Sequence, residues 1–178
     1  MKTSAVILAS ALLLGAGASL AQGNTTATTP TDPQIAHIVV TANQIDIDAG
    51  KVAESKASSK DVKAFAKQMV TDHTGVNKQA SELVKKLKVT PEDNPTSRNL
   101  KAGGDDMQKQ LKGMKETDFD KAYIDNEVTF HQTVLDSIDK TLLPNAKNDE
   151  LKNLITKTRP AIAAHLEHAK QLQASLNK

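Results

Sequence analysis

Apolar residues recur along this chain at steps of three and four, the spacing of a helix that buries one stripe of its surface. The stretch 59–88 shows it best: Val62, Ala66, Met69, His73, Val76, Ala80, Leu83 and Leu87 fall on one face. His73 sits where an aliphatic side chain would ordinarily pack. Upstream, Asp32 reads as an N-cap with Pro33 at the first helical position. That first helix should run to about Lys56, with Ile35, Ile38, Ala42, Ile45, Ala49 and Val52 on one face and Asp46 and Asp48 flanking it. Ser58, with Asp61 three residues later, has the form of a capping box for the second helix. So short a connection predicts an antiparallel hairpin.

The pattern breaks over 89–106, where Pro91, Pro95, Gly103 and Gly104 stand among polar residues. A long crossover is expected there, leading into a short helical piece over 107–114. Thr117, with Asp120 three later, predicts the cap of a third helix reaching about Leu143. Its seam is Ile124, then Glu127 or Val128, His131, Leu135, Ile138 and Leu142. A fourth helix should start near Asn148 and carry Leu151, Leu154, Thr158, Ile162, His165, Ala169 and Leu172, bent or split at Pro160. With no alternating pattern and no repeat, the expectation is an all-α fold. Residues 32–178 should form an up-down four-helix bundle with a long crossover between helices 2 and 3.

Composition narrows the chemistry. Aromatic residues make up 2% of the chain, with one Tyr and no Trp, so the core must be aliphatic and base stacking has no platform. The formal charge is +2, with basic and acidic groups interspersed, which argues against nucleic acid as a partner. Lys2, the apolar run from Ala5 to Leu14 and the small residues Ser19 and Ala21 have the form of a secretory signal peptide over 1–21. The apolar run is short for a membrane span; an uncleaved anchor is the alternative. A periplasmic or secreted location is therefore expected, with no transmembrane segment in the mature chain. Residues 22–31 read as a disordered polar leader. The absence of cysteine removes disulfides, thiolate metal sites and c-type haem attachment.

Four residue groups in order resemble a known family: Met69-Val70-Thr71-Asp72-His73, Phe119-Asp120-Lys121-Ala122-Tyr123, His131-Gln132, and Pro160 followed by His165-Leu166 with Ala169 and Leu172. Together they are similar to the exported bacterial proteins grouped as domain of unknown function 4142. The resemblance runs from about Gln34 to Leu172. It implies a ferritin-like helical bundle, an envelope location and no assigned activity. Arg159 departs from the apolar residue that usually precedes the proline.

His73, His131 and His165 each fall on the inferred seam of a different helix. Counted from the expected helix starts, Asp46, His73 and His131 lie fourteen residues in and His165 seventeen. At about 1.5 Å per residue that is roughly 21–26 Å, near mid-height whichever way each helix points. Three imidazoles and a carboxylate can thus meet in one layer, a donor set that suits zinc, copper or iron. Glu127, four before His131, is the additional candidate ligand. A di-iron centre of the ferritin kind requires Glu-x-x-His pairs, but Val70, Val128 and Ile162 stand three before the histidines. The other reading is a structural layer, with each histidine bonded to Asp46, to a neighbouring histidine or to a backbone carbonyl. His37 and His168 read as surface residues, Asp72 as a partner of Lys or Tyr123, and Tyr123 as a core ring. No phosphate loop, nucleophile elbow or zinc-protease motif is present. Three functions remain: a non-enzymatic envelope or stress-associated binding protein, a transition-metal-binding bundle, and an interaction module that meets an envelope partner through the leader and 89–106.

Overall fold

The computed structural model describes residues 29–178, so the expected signal peptide and most of the leader lie outside the described residues. Helix α1 spans Asp32–Lys56, α2 Lys60–Leu87, α3 Pro95–Gly113 and α4 Glu116–Ser137. A π-helical turn, Ile138–Leu142, carries α4 into the short α5, Leu143–Asn145, before α6 covers Asp149–Leu176. No strand occurs among the described residues, and no described helix is long and apolar enough to cross a membrane. The fold is all-α.

Five long helices occur where four were expected. The prolines and glycines of 89–106 predict a broken crossover. In the structure Asn94 is an N-cap, accepting from the Ser97 N–H, and Pro95 opens α3, where a missing N–H costs nothing. Gly103 and Gly104 lie inside the helix. A Cβ on Gly104 would come within 2.7 Å of Ile45, so this glycine permits α3 to lie close against α1. The preceding loop is pinned to the start of α1, with Glu92 N–H donating to the Pro33 carbonyl (3.1 Å) and Asn94 Nδ2 to that of Gln34 (3.2 Å).

Capping also differs in detail. Thr31, not Asp32, caps α1 in a reciprocal box with Gln34. The Asp32 carboxylate instead accepts from the backbone N–H groups of Lys147 (2.8 Å) and Asn148 (2.9 Å), anchoring the approach to α6. Ser59, not Ser58, caps α2. Lys115 precedes α4 without a side-chain cap, and Thr117 lies within that helix. Asp120 reaches across to the α1–α2 turn, accepting from Ser58 N–H (3.0 Å), Ser58 Oγ (2.6 Å) and Ser59 N–H (2.7 Å). Lys56, at the end of α1, donates to the carbonyls of Leu111, Lys112 and Met114 and so neutralises the C-terminus of α3. Pro160 sits inside a continuous α6, and Arg159 beside it forms a two-pronged pair with Asp139 on the π turn (2.6 and 2.7 Å).

Helix α1 packs along α2 and also contacts α3 and α4; α4 packs along α6, and α6 meets α2. Gly50 lies close against α2, where a Cβ would press on Val70 and the Ala66 carbonyl. The buried apolar side chains form two clusters. One gathers Phe65, Met69, Phe119, Tyr123, Ile124 and their neighbours; the other is aliphatic, built on Ile35, Ile38, Leu142, Ile155 and Ile162. Polar side chains lie buried along with them: Asn43, Asp46, His73, Glu127, His131 and His165.

Candidate metal centre

Each of the four longest helices contributes to the polar layer. Helix α1 supplies Asn43 and Asp46, α2 supplies Asp72 and His73, α4 supplies Glu127 and His131, and α6 supplies His165. The three histidine rings stand in mutual contact, with centroids 5.7 Å apart for His73–His131, 5.4 Å for His73–His165 and 5.5 Å for His131–His165. One ligand atom from each of the three lies within 4.8 Å of the others, and Asp46, Glu127 and His131 form a second such group. His131 is common to both. Asp46 does not flank the seam of α1 as expected. It is 1% exposed, because α1 is covered on more than one side.

The hydrogen bonds assign the tautomers. Asn43 Nδ2 donates to the Val39 carbonyl (2.7 Å), which turns Oδ1 toward His73 Nδ1 at 2.6 Å. His73 Nδ1–H is therefore the donor, and Nε2 carries the lone pair. His131 Nδ1–H donates to the Glu127 carbonyl one turn earlier (3.0 Å), leaving Nε2 as the inner nitrogen. His165 Nε2–H donates to the Asp72 carboxylate (2.9 Å), which leaves Nδ1 buried without a partner. In all three rings one nitrogen is held from outside and the other is free for the cluster, the arrangement that outer hydrogen bonds give to metal-ligating imidazoles.

Asp46 Oδ2 lies 3.1 Å from His73 Nε2 and 3.4 Å from His131 Nε2, yet none of these atoms completes a well-aligned hydrogen bond. Burial is the first cause of the electrostatics. It pushes the Asp46 carboxyl well above its usual range, helped by the Glu127 charge and opposed by His131. It pushes Glu127 up to about 8, against the lowering pull of the Asn126 and Tyr123 side chains. It holds His73 down to about 3, reinforced by His131 and His165. His165 is lowered too, although Asp72 draws it the other way. Tyr123, packed between Phe65 and Phe119, is raised by burial and by the adjacent Glu127.

The layer thus unites Asp46, His73, His131, His165 and Glu127, the five residues singled out from the sequence. Two participants were missed. Asn43 reads as a polar interruption, although its place three residues before Asp46 put it on the same face. Asp72 reads from the sequence as a partner of Lys or Tyr123, but the angle that turns it away from the His73 direction brings it to His165 on α6. His168 is half-buried with its ring against Phe65 at 5.1 Å, and His37 is half-buried 4.0 Å from Asp93. Neither joins the layer.

No curated protein and no solved structure matches this chain. A family pattern does match over residues 17–172, nearly its whole length, and the chain belongs to that family, described as a domain of unknown function, DUF4142.

Proposed function

We propose that the polar layer is a binding site for one divalent transition ion, held by Asp46, His73, His131 and His165, with zinc, copper and iron as the ions its nitrogen and oxygen donors suit. The observation that carries the reading is the half-satisfied state of every ring. A layer serving only to hold the helices together would satisfy both nitrogens of each imidazole, because a buried unpaired polar atom costs about 1–3 kcal/mol. Here the outer nitrogens are satisfied, the inner ones of His73 and His131 converge on Asp46, and that of His165 is buried without a partner.

The spacing fits an ion. Ligands about 2.0–2.1 Å from a tetrahedral zinc stand about 3.3 Å from one another. The Asp46 contacts to His73 and His131, 3.1 and 3.4 Å, have that separation. Charge fits as well: ionised Asp46 and Glu127 together balance a buried divalent cation, whereas in its absence both carboxyls are driven toward the protonated form. We infer further that the chain is a non-enzymatic, envelope-located binding protein on a ferritin-like up-down bundle, with α3 added beside the four longest helices. The di-iron ligand pattern is missing, so iron oxidation at a paired-metal site is not part of the reading.

The test is a cobalt(II) titration of chelator-treated protein, followed by absorption and by zinc competition. A saturable one-to-one site is expected, lost in His131→Ala, the variant that removes the residue common to both ligand groups. A wild-type protein without a saturable site overturns the proposal.

A further inference from the structure

Asp46, His73 and His131 also line a cavity of about 50 Å³. Its other walls are mostly aliphatic, among them Ile38, Ala42, Leu142, Ile155 and Ile162. A single water needs roughly 10–15 Å³, so this space takes a molecule of two or three heavy atoms. It is too small for an organic acid or a hydrated ion. Aliphatic walls give water too few partners and favour an uncharged, weakly hydrated occupant.

A groove of about 400 Å³ lies behind the cavity, between α3 and α4, bordered by Ile45, Thr96, Asn99, Met107 and Asn126. Leu100, Phe130, Thr133 and Ser137 line both spaces. Leu100 and Phe130 are half-buried, and the Phe130 ring lies 6.1 Å from that of His131. These shared residues stand between the groove and the cavity. The π turn Ile138–Leu142 supplies two further cavity residues from its ends, and such turns are concentrated at functional sites.

We propose that the metal centre binds a diatomic, uncharged ligand of the dioxygen or nitric oxide type at an open position facing this cavity, entered past Leu100 and Phe130. The proposal rests on the metal reading above. Two imidazoles and a carboxylate bordering one open space leave room for an added ligand on the ion, and His165, which does not line the cavity, holds the ion from the far side. Phe130 governs entry, not affinity.

The experiment has two arms. In the first, crystals of metal-free protein are pressurised with xenon. Density among Ile38, Ile155 and Ile162 is expected; an ordered water chain there, or no density, overturns the proposal. In the second, iron(II)-loaded protein is exposed to nitric oxide without oxygen, and the high-spin iron–nitrosyl signal is followed by electron paramagnetic resonance. Ala42→Leu should fill the cavity and weaken nitric oxide binding roughly tenfold or more while iron stoichiometry is unchanged. Phe130→Ala should speed binding without changing its endpoint, which keeps the test available if Ala42→Leu folds poorly. Iron that loads but gives no nitrosyl signal overturns this proposal alone. A protein that never loads iron or cobalt overturns the metal reading and this proposal with it.

Discussion

Replacing Asp46 by Asn separates the metal reading from a purely structural one. In the metal-free protein burial holds His73 down to about 3 and drives Asp46 well above its usual range. Both displacements favour a protonated carboxyl beside a neutral imidazole, with Asp46 Oδ2 3.1 Å from His73 Nε2. Asp46→Asn exchanges one neutral group for another of the same shape, so folding stability should change by less than about 1 kcal/mol. Were Asp46 ionised and paired with an imidazolium, removing its charge would strand a buried cation and cost about 3–5 kcal/mol. Metal affinity should respond in the opposite way. Loss of an anionic ligand must exceed the 10–100-fold penalty typical of outer hydrogen-bond partners. The assays are urea unfolding in chelator at pH 7 and zinc competition on the same preparations. A loss of 3–5 kcal/mol in the metal-free state refutes the protonation argument, and an unchanged zinc affinity refutes the assignment of Asp46 as a ligand.

Further expectations concern pH, the caps and the close helix contacts. Glu127 has a folded value of about 8 against 4.5, so its contribution is full below about pH 4.5 and is lost as pH rises to 8; Asp46 acts in the same sense. His73, lowered from 6.5 to about 3, contributes above 6.5 and loses that as pH falls, and His165 is displaced in the same direction. The opposing slopes offset each other at acid pH, but between 6.5 and 8 Glu127 alone should lower stability in chelator by up to about 1.4 kcal/mol per pH unit, a component removed in Glu127→Gln; equal urea midpoints for both proteins across that range would contradict the assignment. Asp120→Ala strands two backbone N–H groups of the α1–α2 turn and should cost about 2–3 kcal/mol by thermal unfolding, with a cost below 0.5 counting against it. Lys56→Met uncovers three carbonyls at the end of α3 and should accelerate amide hydrogen exchange in 105–113 before any change elsewhere. Gly103→Ala, facing open space, should stabilise by about 0.5–1 kcal/mol, whereas Gly104→Ala meets Ile45 and should lose that gain or reverse it; equal melting shifts would deny the close α1–α3 contact.

The long helices were legible because each buries an apolar stripe, and Asn148 was legible as a cap because its partners, the Glu150 and Leu151 N–H groups, are neighbours in sequence. Helix α3 was not, since proline and glycine carry opposite meanings in different contexts. Pro95 starts a helix, and Gly104 serves a contact with Ile45, a residue far away in the chain. Helix α1 misled for a related reason. Packed against three other helices, it shows no single wet face, and Asp46 looked marginal when it is central. Asp120 satisfied a local capping pattern, but a turn some sixty residues away holds it. The meeting of Asp46, His73, His131 and His165 could be foreseen from depth along the helices. Their tautomers could not, because Asn43 and Asp72 impose them across helix–helix interfaces.

The two apolar clusters have unequal optical content. Phe65, Phe119 and Tyr123 all belong to one of them, while the other is entirely aliphatic. Tyr123 is the chain's sole tyrosine and there is no tryptophan, so intrinsic fluorescence is a local witness. It records loosening around α2 and α4 near Phe65 and Phe119, and it is blind to fraying of the aliphatic end beside Ile35, Ile155 and the π turn. A fluorescence melt and a circular dichroism melt of this protein are therefore measurements of different regions. They coincide only while both ends of the core open as one cooperative unit.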